Sequence, residues 1–499
     1  MCVEVLNNYI IKVKKTIFGF LCLCGSMAAS AQRLTLESAI RIAQENSYDA
    51  MVAKYSFMAS YWTYRSFKAE LLPSMNLNGS LLNFDHSLVS VRNYEDGQVA
   101  YVNNNSMNNY LTLSVDQQIV ATGGTVSLQS YLYRLDQFDY NQTTYNSQPL
   151  RISYTQPLKS FNSLKWEKKT APIEYQIAQK AYASSMQDVT IRVTSLFFNV
   201  LSAQSDYKQS VSTLKDREAL LDIAKARLNL GTTTKSEVLQ MELSVLNARM
   251  SVNKNKQNLD DVMYNMFSYL RVSDYNDAEL VPPYSVPEII LSVDEVIQRA
   301  ITNSSHTLEQ KQQMLEAEKS LAQAKSNKGL QMTIRGEVGF TQKANAFADA
   351  YRNPMDNEIV GLTLSLPIFD WGVSRGRVKM AQARLEVVRT QQEQAHLDYV
   401  QALRKKVLQF NLQPIQCRDA LRAQEIAEER YEIMRKRFEA GSVSVTDLNT
   451  AQQEMESAKY QYINQLNTFW NDYYSLQKST LYDWIQKRDI EFEYEKLVK

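Results

Sequence analysis

Few residues of this chain are placed to do covalent chemistry. The three histidines, His86, His306 and His396, are scattered and share no ligand spacing. No nucleotide-binding loop, nucleophile elbow or paired-carboxylate arrangement occurs, so no enzyme, cofactor or metal chemistry is expected. The informative polar residues sit instead around two glycines. Gly231 and Gly441 follow long helix-periodic stretches and read as left-handed helix caps. Thr234-Lys-Ser-Glu237 and Ser444-Val-Thr-Asp447 come directly after them, both with capping-box spacing. What these residues can do is end one helix, turn, and start another.

The elements that carry these turns are long and duplicated. Leu34–Ser47 matches Leu291–Ser304 at a shift of 304 − 47 = 257, and Met75–Gly79 matches Met332–Gly336 at the same shift. Gly231 matches Gly441, and Pro157 matches Pro367, at a shift of 210, so the first copy carries 257 − 210 = 47 extra residues between Gly79 and Pro157. The chain therefore divides into a first repeat, 32–272, a linker, 273–290, with Pro282, Pro283 and Pro287, a second repeat, 291–485, and a tail, 486–499. Each repeat begins with a helical stretch (about 35–70 and 292–328) that leads into alternating segments. A very long helix follows (about 163–229 and 373–439), then a glycine break and another helix (about 235–271 and 445–485). Apolar residues recur every seven positions along these helices, from Met186, Val193 and Val200 to Leu228, and from Val238 to Met266. The second repeat does the same from Leu403 through Phe410, Cys417 and Tyr431 to Phe438, and from Leu448 to Leu476, with Gln424 the one polar member. A register held that long specifies coiled-coil packing. Pro172 fits a first helical turn, and Pro414 is expected to kink or break its helix.

Composition bounds the setting. The 499 residues carry 55 basic and 54 acidic side chains, a balance that offers no nucleic-acid surface. Lys12, Lys14 and Lys15, an apolar run over 17–24 and Ala29-Ser30-Ala31 form a signal peptide, 1–31. After its removal Cys417 alone remains, which rules out an intrachain disulfide. No stretch supplies the roughly 18 consecutive apolar residues of a transmembrane helix. The alternating segments instead show period two with one apolar face: Leu111–Val115, Val126–Leu128, Leu150–Tyr154, Met332–Phe340 and Leu362–Leu366. Two strands are expected in the second repeat and two to four in the first, with Thr122-Gly123-Gly124 as a hairpin turn. Such a set fits either a soluble sandwich or a share of a membrane barrel, which four to six strands cannot close alone.

Taken in order, these marks resemble the TolC-type outer-membrane efflux and export proteins. The resemblance rests on the duplicated opening motif, on Leu366-Pro-Ile-Phe-Asp-Trp-Gly372, and on the tips Ala226–Gly231…Glu237-Val-Leu and Lys436–Gly441…Asp447-Leu. It implies a mainly α fold with a smaller β part: long coiled-coil helices forming a periplasmic α-barrel continuous with a transmembrane β-barrel shared by a homotrimer. It also implies an outer-membrane location with a long periplasmic extension, and work as a passive exit duct. The implied partners are a periplasmic adaptor (membrane fusion) protein, an inner-membrane pump of RND or ABC type and outer-membrane lipid. Adaptor contact carries over to Arg227, Leu228, Gly231, Thr232, Arg437, Phe438, Gly441 and Ser442; for Arg227 and Arg437 plain solvation is an equal alternative. An acidic pore constriction carries over to Asp447, which could equally be a helix cap, while the second acidic position of some relatives is Thr450 here. The junction glycine, Gly372, falls on Asn162 in the first repeat, where asparagine is expected to keep the left-handed turn. The extra residues are expected to add a hairpin, giving six strands per chain where the family has four. A structural or adhesive coiled-coil surface protein would share the heptads but not the duplicated strand pairs.

Overall fold

The computed structural model describes residues 33–92, 97–273, 278–283 and 286–498. The expected signal peptide, 1–31, and residues 274–277 and 284–285 of the linker lie outside these. Two compact units are present, and each draws on both repeats: one comprises residues up to Lys54, Ala183–Asn303 and Ala402–Phe492, the other Tyr55–Tyr182, Ser304–Gln401 and Glu493 onward.

The first unit is helical. The long helices α3 (Ser163–Asn229) and α7 (Val373–Glu439) contribute their second halves to it. The partner helices α4 (Lys235–Leu270) and α8 (Val445–Thr480) lie wholly within it. Each of the long pair has 67 residues, about 100 Å of helix. The heptad positions behave as expected: Val193, Val200, Met266, Leu403, Phe410, Leu448 and Phe469 are buried, and no member of the series is exposed. Phe410 packs against Phe469 with tilted rings, centroids 5.4 Å apart. Gln424, the polar member, is half-buried; its amide nitrogen donates to Glu428, while its amide oxygen is buried without a partner among the described residues. Two short strands, β1 (Arg33–Leu34) and β6 (Glu279–Leu280), pair in parallel beside helices α1 (Leu36–Asn46) and α5 (Val293–Asn303).

The second unit holds a six-stranded antiparallel sheet. Its strands are β2 (Ser74–Arg92), β3 (Val99–Ile119), β4 (Gly124–Gln137), β5 (Gln142–Pro157), β7 (Gln331–Ala344) and β8 (Met355–Ser365), paired in that order. The first repeat thus supplies four strands, and its extra residues form a hairpin within the sheet. Helices α2 (Tyr48–Glu70) and α6 (His306–Lys328) lead into the two strand groups.

Four expectations need correction. The stretches 35–70 and 292–328 are each two helices: Ser47 breaks the first with an extended backbone and caps the second through its hydroxyl on the Ala50 N–H, and Ser304–Ser305 interrupt the other. Helix α8 stops at Thr480, where Leu481 turns left-handed; a small hairpin of β9 (Tyr482–Asp483) and β10 (Arg488–Asp489) follows, and the tail ends in α9 (Tyr494–Val498). Pro172 lies in the third turn of α3 because the helix already starts at Ser163. Of the two outcomes expected at Pro414, a kink or a break, the break does not occur, since α7 continues to Glu439. Finally, Asn162 does not adopt the left-handed backbone of Gly372 (φ 88°). Its side chain does other work, accepting from the Lys165 N–H as a helix cap and donating to the Val120 carbonyl.

Candidate functional site

Two features of this fold concern function: the faces of the sheet and the tips of the helical hairpins.

Cross-strand register sorts the sheet residues into faces. Met75, Val115, Leu128, Ile152 and Val338 form one continuous row, and Ile334–Leu362 and Met332–Leu364 extend the same face. The opposite face carries the rows Asn76–Ser114–Gln129–Arg151 and Asp116–Ser127–Ser153–Glu337. Burial is inverted relative to a soluble sheet. Leu77 is 69% exposed and Val360 85%, whereas Ser114 and Glu337 on the polar face are each 5% exposed. The buried Glu337 is paired, 2.6 Å from the Arg335 guanidinium and 3.9 Å from that of Arg151. A bare apolar face opposite a partly buried polar one is the reverse of the arrangement in a water-soluble sheet. Gly339 is needed where β5 and β7 meet, since a Cβ there would lie 2.5 Å from the Leu150 carbonyl oxygen. The outer edges of β2 and β8 have no partner strand among the described residues.

At the tips, both long helices end in the same motif. Gly231 (φ 73°) and Gly441 (φ 81°) turn left-handed, the Thr232 N–H donates to the Arg227 carbonyl, and the Ser442 N–H donates to that of Arg437. These are Schellman caps, as the glycines led one to expect. The next helices start with Thr234 and Ser444 as N-caps. Only the second capping box is complete. The Asp447 carboxylate accepts from the Ser444 N–H and, at 2.7 Å, from its hydroxyl, while Glu237 accepts from the Thr233 hydroxyl instead. The Ser444 hydroxyl bond holds the Asp447 carboxyl below its ordinary range, helped by the Ser444 N–H.

The two tips are tied together by Arg227. Its Nη2 donates to the Phe438 and Glu439 carbonyls at 3.0 and 2.6 Å, and its guanidinium lies 5.8 Å from the Phe438 ring centre. Arg227 thus caps the C-terminus of α7, a role that sequence reasoning missed because the partners are backbone atoms 211 and 212 residues away. Phe438 is buried in a cluster with Leu220, Met241, Tyr431 and Leu448. Gly231, Thr232, Arg437, Gly441 and Ser442 are exposed and Leu228 is half-buried, so the tip presents these six. A cavity of about 440 Å³ lies between the tips, lined by Arg227, Thr232, Phe438 and Ser444 among others. Further along, Tyr431 donates to Asp216 at 3.3 Å, and burial pushes its phenol up to about 12. Beside it, the polar residues Ser210, Thr213, Arg217, Gln452 and Glu456 interrupt the apolar packing and line a cavity of about 450 Å³. Arg217, buried and hydrogen-bonded to Gln452, is held below the ordinary guanidinium range by desolvation.

Among the described residues no group of histidine, cysteine, aspartate and glutamate could hold a metal ion, and no helix is long and apolar enough to cross a membrane. What remains is a sheet whose apolar face is bare and helices that bury their heptad residues. A sequence profile of outer membrane efflux proteins matches residues 39–266 and 296–480, both repeats nearly end to end. The chain belongs to the outer membrane efflux protein family. This is a family of channels and not of enzymes. The chain is 23% identical over 364 residues to the outer membrane protein TolC of Escherichia coli, covering 68% of this chain and 71% of that one. It is 24% identical over 365 residues to TolC of Salmonella enteritidis, covering 68% and 71%. Among solved structures, the fold is similar to the CmeC outer membrane channel of Campylobacter jejuni, with a TM-score of 0.63, 14% identity and coverage of 92% of this chain and 88% of that one. It is likewise similar to VceC of Vibrio cholerae, with a TM-score of 0.62, 13% identity and coverage of 91% and 97%.

Proposed function

We propose that three copies of this chain form the passive exit duct of a tripartite efflux or type I-like secretion system in the outer membrane. A periplasmic adaptor joins the duct to an inner-membrane pump of RND or ABC type, and the pump supplies the energy. The observation that carries this reading is the inverted sheet: its apolar face is bare, the centre of its polar face (Ser114, Ser127, Glu337) is buried, and neither edge has a partner strand among the described residues. Open edges are not tolerated in lipid, so each β2 edge needs a β8 edge from another copy. Three sheets of six strands then close one barrel of eighteen. The helices support the same assembly. Leu239, Leu243, Leu246 and Met250 on α4, and Leu408, Leu412, Ile415, Ile426 and Ile433 on α7, are exposed at heptad spacing. They make a second seam that the chain itself does not cover, and a neighbouring copy covers it in the trimer. The helices then form the periplasmic α-barrel, and the tip residues Leu228, Gly231, Thr232, Arg437, Gly441 and Ser442 meet the adaptor, with Arg227 and Phe438 holding the tip in shape beneath them. Asp447 serves first as a helix cap; its exposed carboxylate, repeated three times, also forms the acidic constriction.

The test is assembly and conductance. Protein extracted from the outer membrane in detergent should run as a heat-modifiable trimer and open channels in planar bilayers. A water-soluble monomer without channel activity refutes the proposal. Asp447→Ala should raise single-channel conductance or weaken block by divalent cations; unchanged values leave Asp447 a cap alone.

A further inference from the structure

The loop between β8 and α7 is the most exposed apolar segment among the described residues. Ile368 is 92% exposed, Trp371 88% and Phe369 72%. Phe369 and Trp371 lie edge to face, 4.6 Å between ring centres. The loop is not slack. Both carboxylate oxygens of Asp370 are engaged, one by the Gly372 N–H at 3.0 Å and one by the Ser374 N–H at 2.8 Å, and Trp371 is held at φ 55°. A shaped loop that keeps three large apolar side chains in water needs something to cover it. It runs straight on from Val360, Leu362 and Leu364, the exposed apolar face of β8.

Basic residues follow at once. Arg375, Arg377 and Lys379 are exposed just past the loop, and Lys159, Lys165, Lys168 and Lys169 are exposed at the corresponding junction of the first repeat. Asp370, whose oxygens are engaged, and Glu167 are the only acids in 158–169 and 366–379. Helices α3 and α7 have no acidic residue in their first turns, whereas α1, α2, α4, α5, α6 and α8 all do. Cations at a helix N-terminus oppose the macrodipole. At α7 Asp370 supplies one anion, through the Ser374 N–H, against the three cations Arg375, Arg377 and Lys379, and an external anion would balance the excess. Trp and Phe at the edge of an apolar band, with cations one or two turns beyond, match the layers of a membrane surface: acyl boundary, then phosphate.

We propose that the Leu366–Trp371 loop and the basic residues of both junctions form a docking surface for an anionic phospholipid leaflet. Ile368, Phe369 and Trp371 enter the acyl boundary, and Arg375, Arg377 and Lys379, with the first-repeat lysines, bind headgroup phosphates. The inference rests on reading the sheet as a lipid-exposed wall, and the experiment separates the two. Full-length Ile368→Cys and Leu362→Cys proteins are labelled with a thiol-reactive fluorophore, Cys417 being buried. They are reconstituted in phosphatidylcholine vesicles with and without phosphatidylglycerol, and quenched by aqueous iodide or by spin-labelled lipid. The expected result is that both labels are quenched by lipid and shielded from iodide. In mixed nanodiscs, phosphatidylglycerol should be enriched around the wild type, and the R375Q/R377Q/K379Q variant should lose that enrichment several-fold. If Leu362 meets iodide, the membrane wall itself is refuted, and this surface with it. If Leu362 is lipid-shielded but Ile368 is quenched by iodide, the loop faces water. If Ile368 is shielded from both quenchers, another copy covers it. Either result overturns the proposal, as does undiminished phosphatidylglycerol enrichment around the triple variant.

Discussion

Replacing Arg227 by alanine tests the idea that a single guanidinium joins the two hairpin tips. Its Nη2 makes two bonds to the last carbonyls of α7, at 3.0 and 2.6 Å, and its face lies over the Phe438 ring. A hydrogen bond from a charged donor contributes about 1.5–3 kcal/mol net. The half-exposed site and the geometry shared by one nitrogen argue for the lower end, and the ring contact adds about 0.5–1 kcal/mol. A loss of about 2 kcal/mol corresponds to a roughly thirtyfold rise in local opening. Native-state hydrogen exchange of the full-length protein should show that rise in peptides covering 225–235 and 436–446, with the heptad core near Phe410 and Phe469 unchanged. Arg227→Lys should recover only part of the protection, because an ammonium cannot keep both carbonyls and the ring contact at once. Unchanged exchange at the tips, or a rise spread evenly along α3 and α7, would refute the clamp.

Phe410→Ala removes a fully buried ring from the seam and should cost about 3–5 kcal/mol in denaturant unfolding; a loss under about 1 kcal/mol would mean the heptad seam is not the helical core. Burial pushes the Cys417 thiol up to about 11, so it should resist maleimide at neutral pH and react only on unfolding; rapid native labelling would contradict the packing. Gly339→Val should abolish heat-modifiable trimers by forcing β5 and β7 apart, and normal assembly would show that the strands do not approach so closely. The Asp447 carboxyl titrates below its ordinary range, so its contribution is complete above the unfolded carboxylate pKa and is lost as pH falls through the lowered value. Hydrogen exchange at the start of α8 should therefore differ between wild type and Asp447→Asn at neutral pH and converge in acid; a constant difference would exclude the cap as its source.

The helical half of the architecture was legible because a seven-residue repeat leaves little freedom. The ranges 163–229 and 373–439 read from the sequence match α3 and α7, since glycine caps and capping residues mark their ends. Elsewhere local signals were too weak or lay at a distance. Ser47 looks like any serine in a helical run until its hydroxyl is seen capping the next helix. Strands β2 and β3 extend to 19 and 21 residues, well past the alternating core, because Asn and Ser on both faces erase the period-two signal. The expectation for Asn162 came from glycine-like backbone preference, and a side-chain cap met the same need by another route. The tip glycines were readable, whereas the Arg227 clamp depends on the other repeat folding alongside.

That clamp makes the duplication unequal. Arg227 and Arg437 occupy matching places in the two copies, yet one is spent on holding its neighbour's helix end while the other points into solvent. A ring of such chains would therefore present two alternating kinds of tip, and a binding protein could distinguish odd from even positions. Exchanging the two tip sequences would conserve every residue type and still misplace the guanidinium, so the ancestral symmetry can no longer be restored by simple transposition.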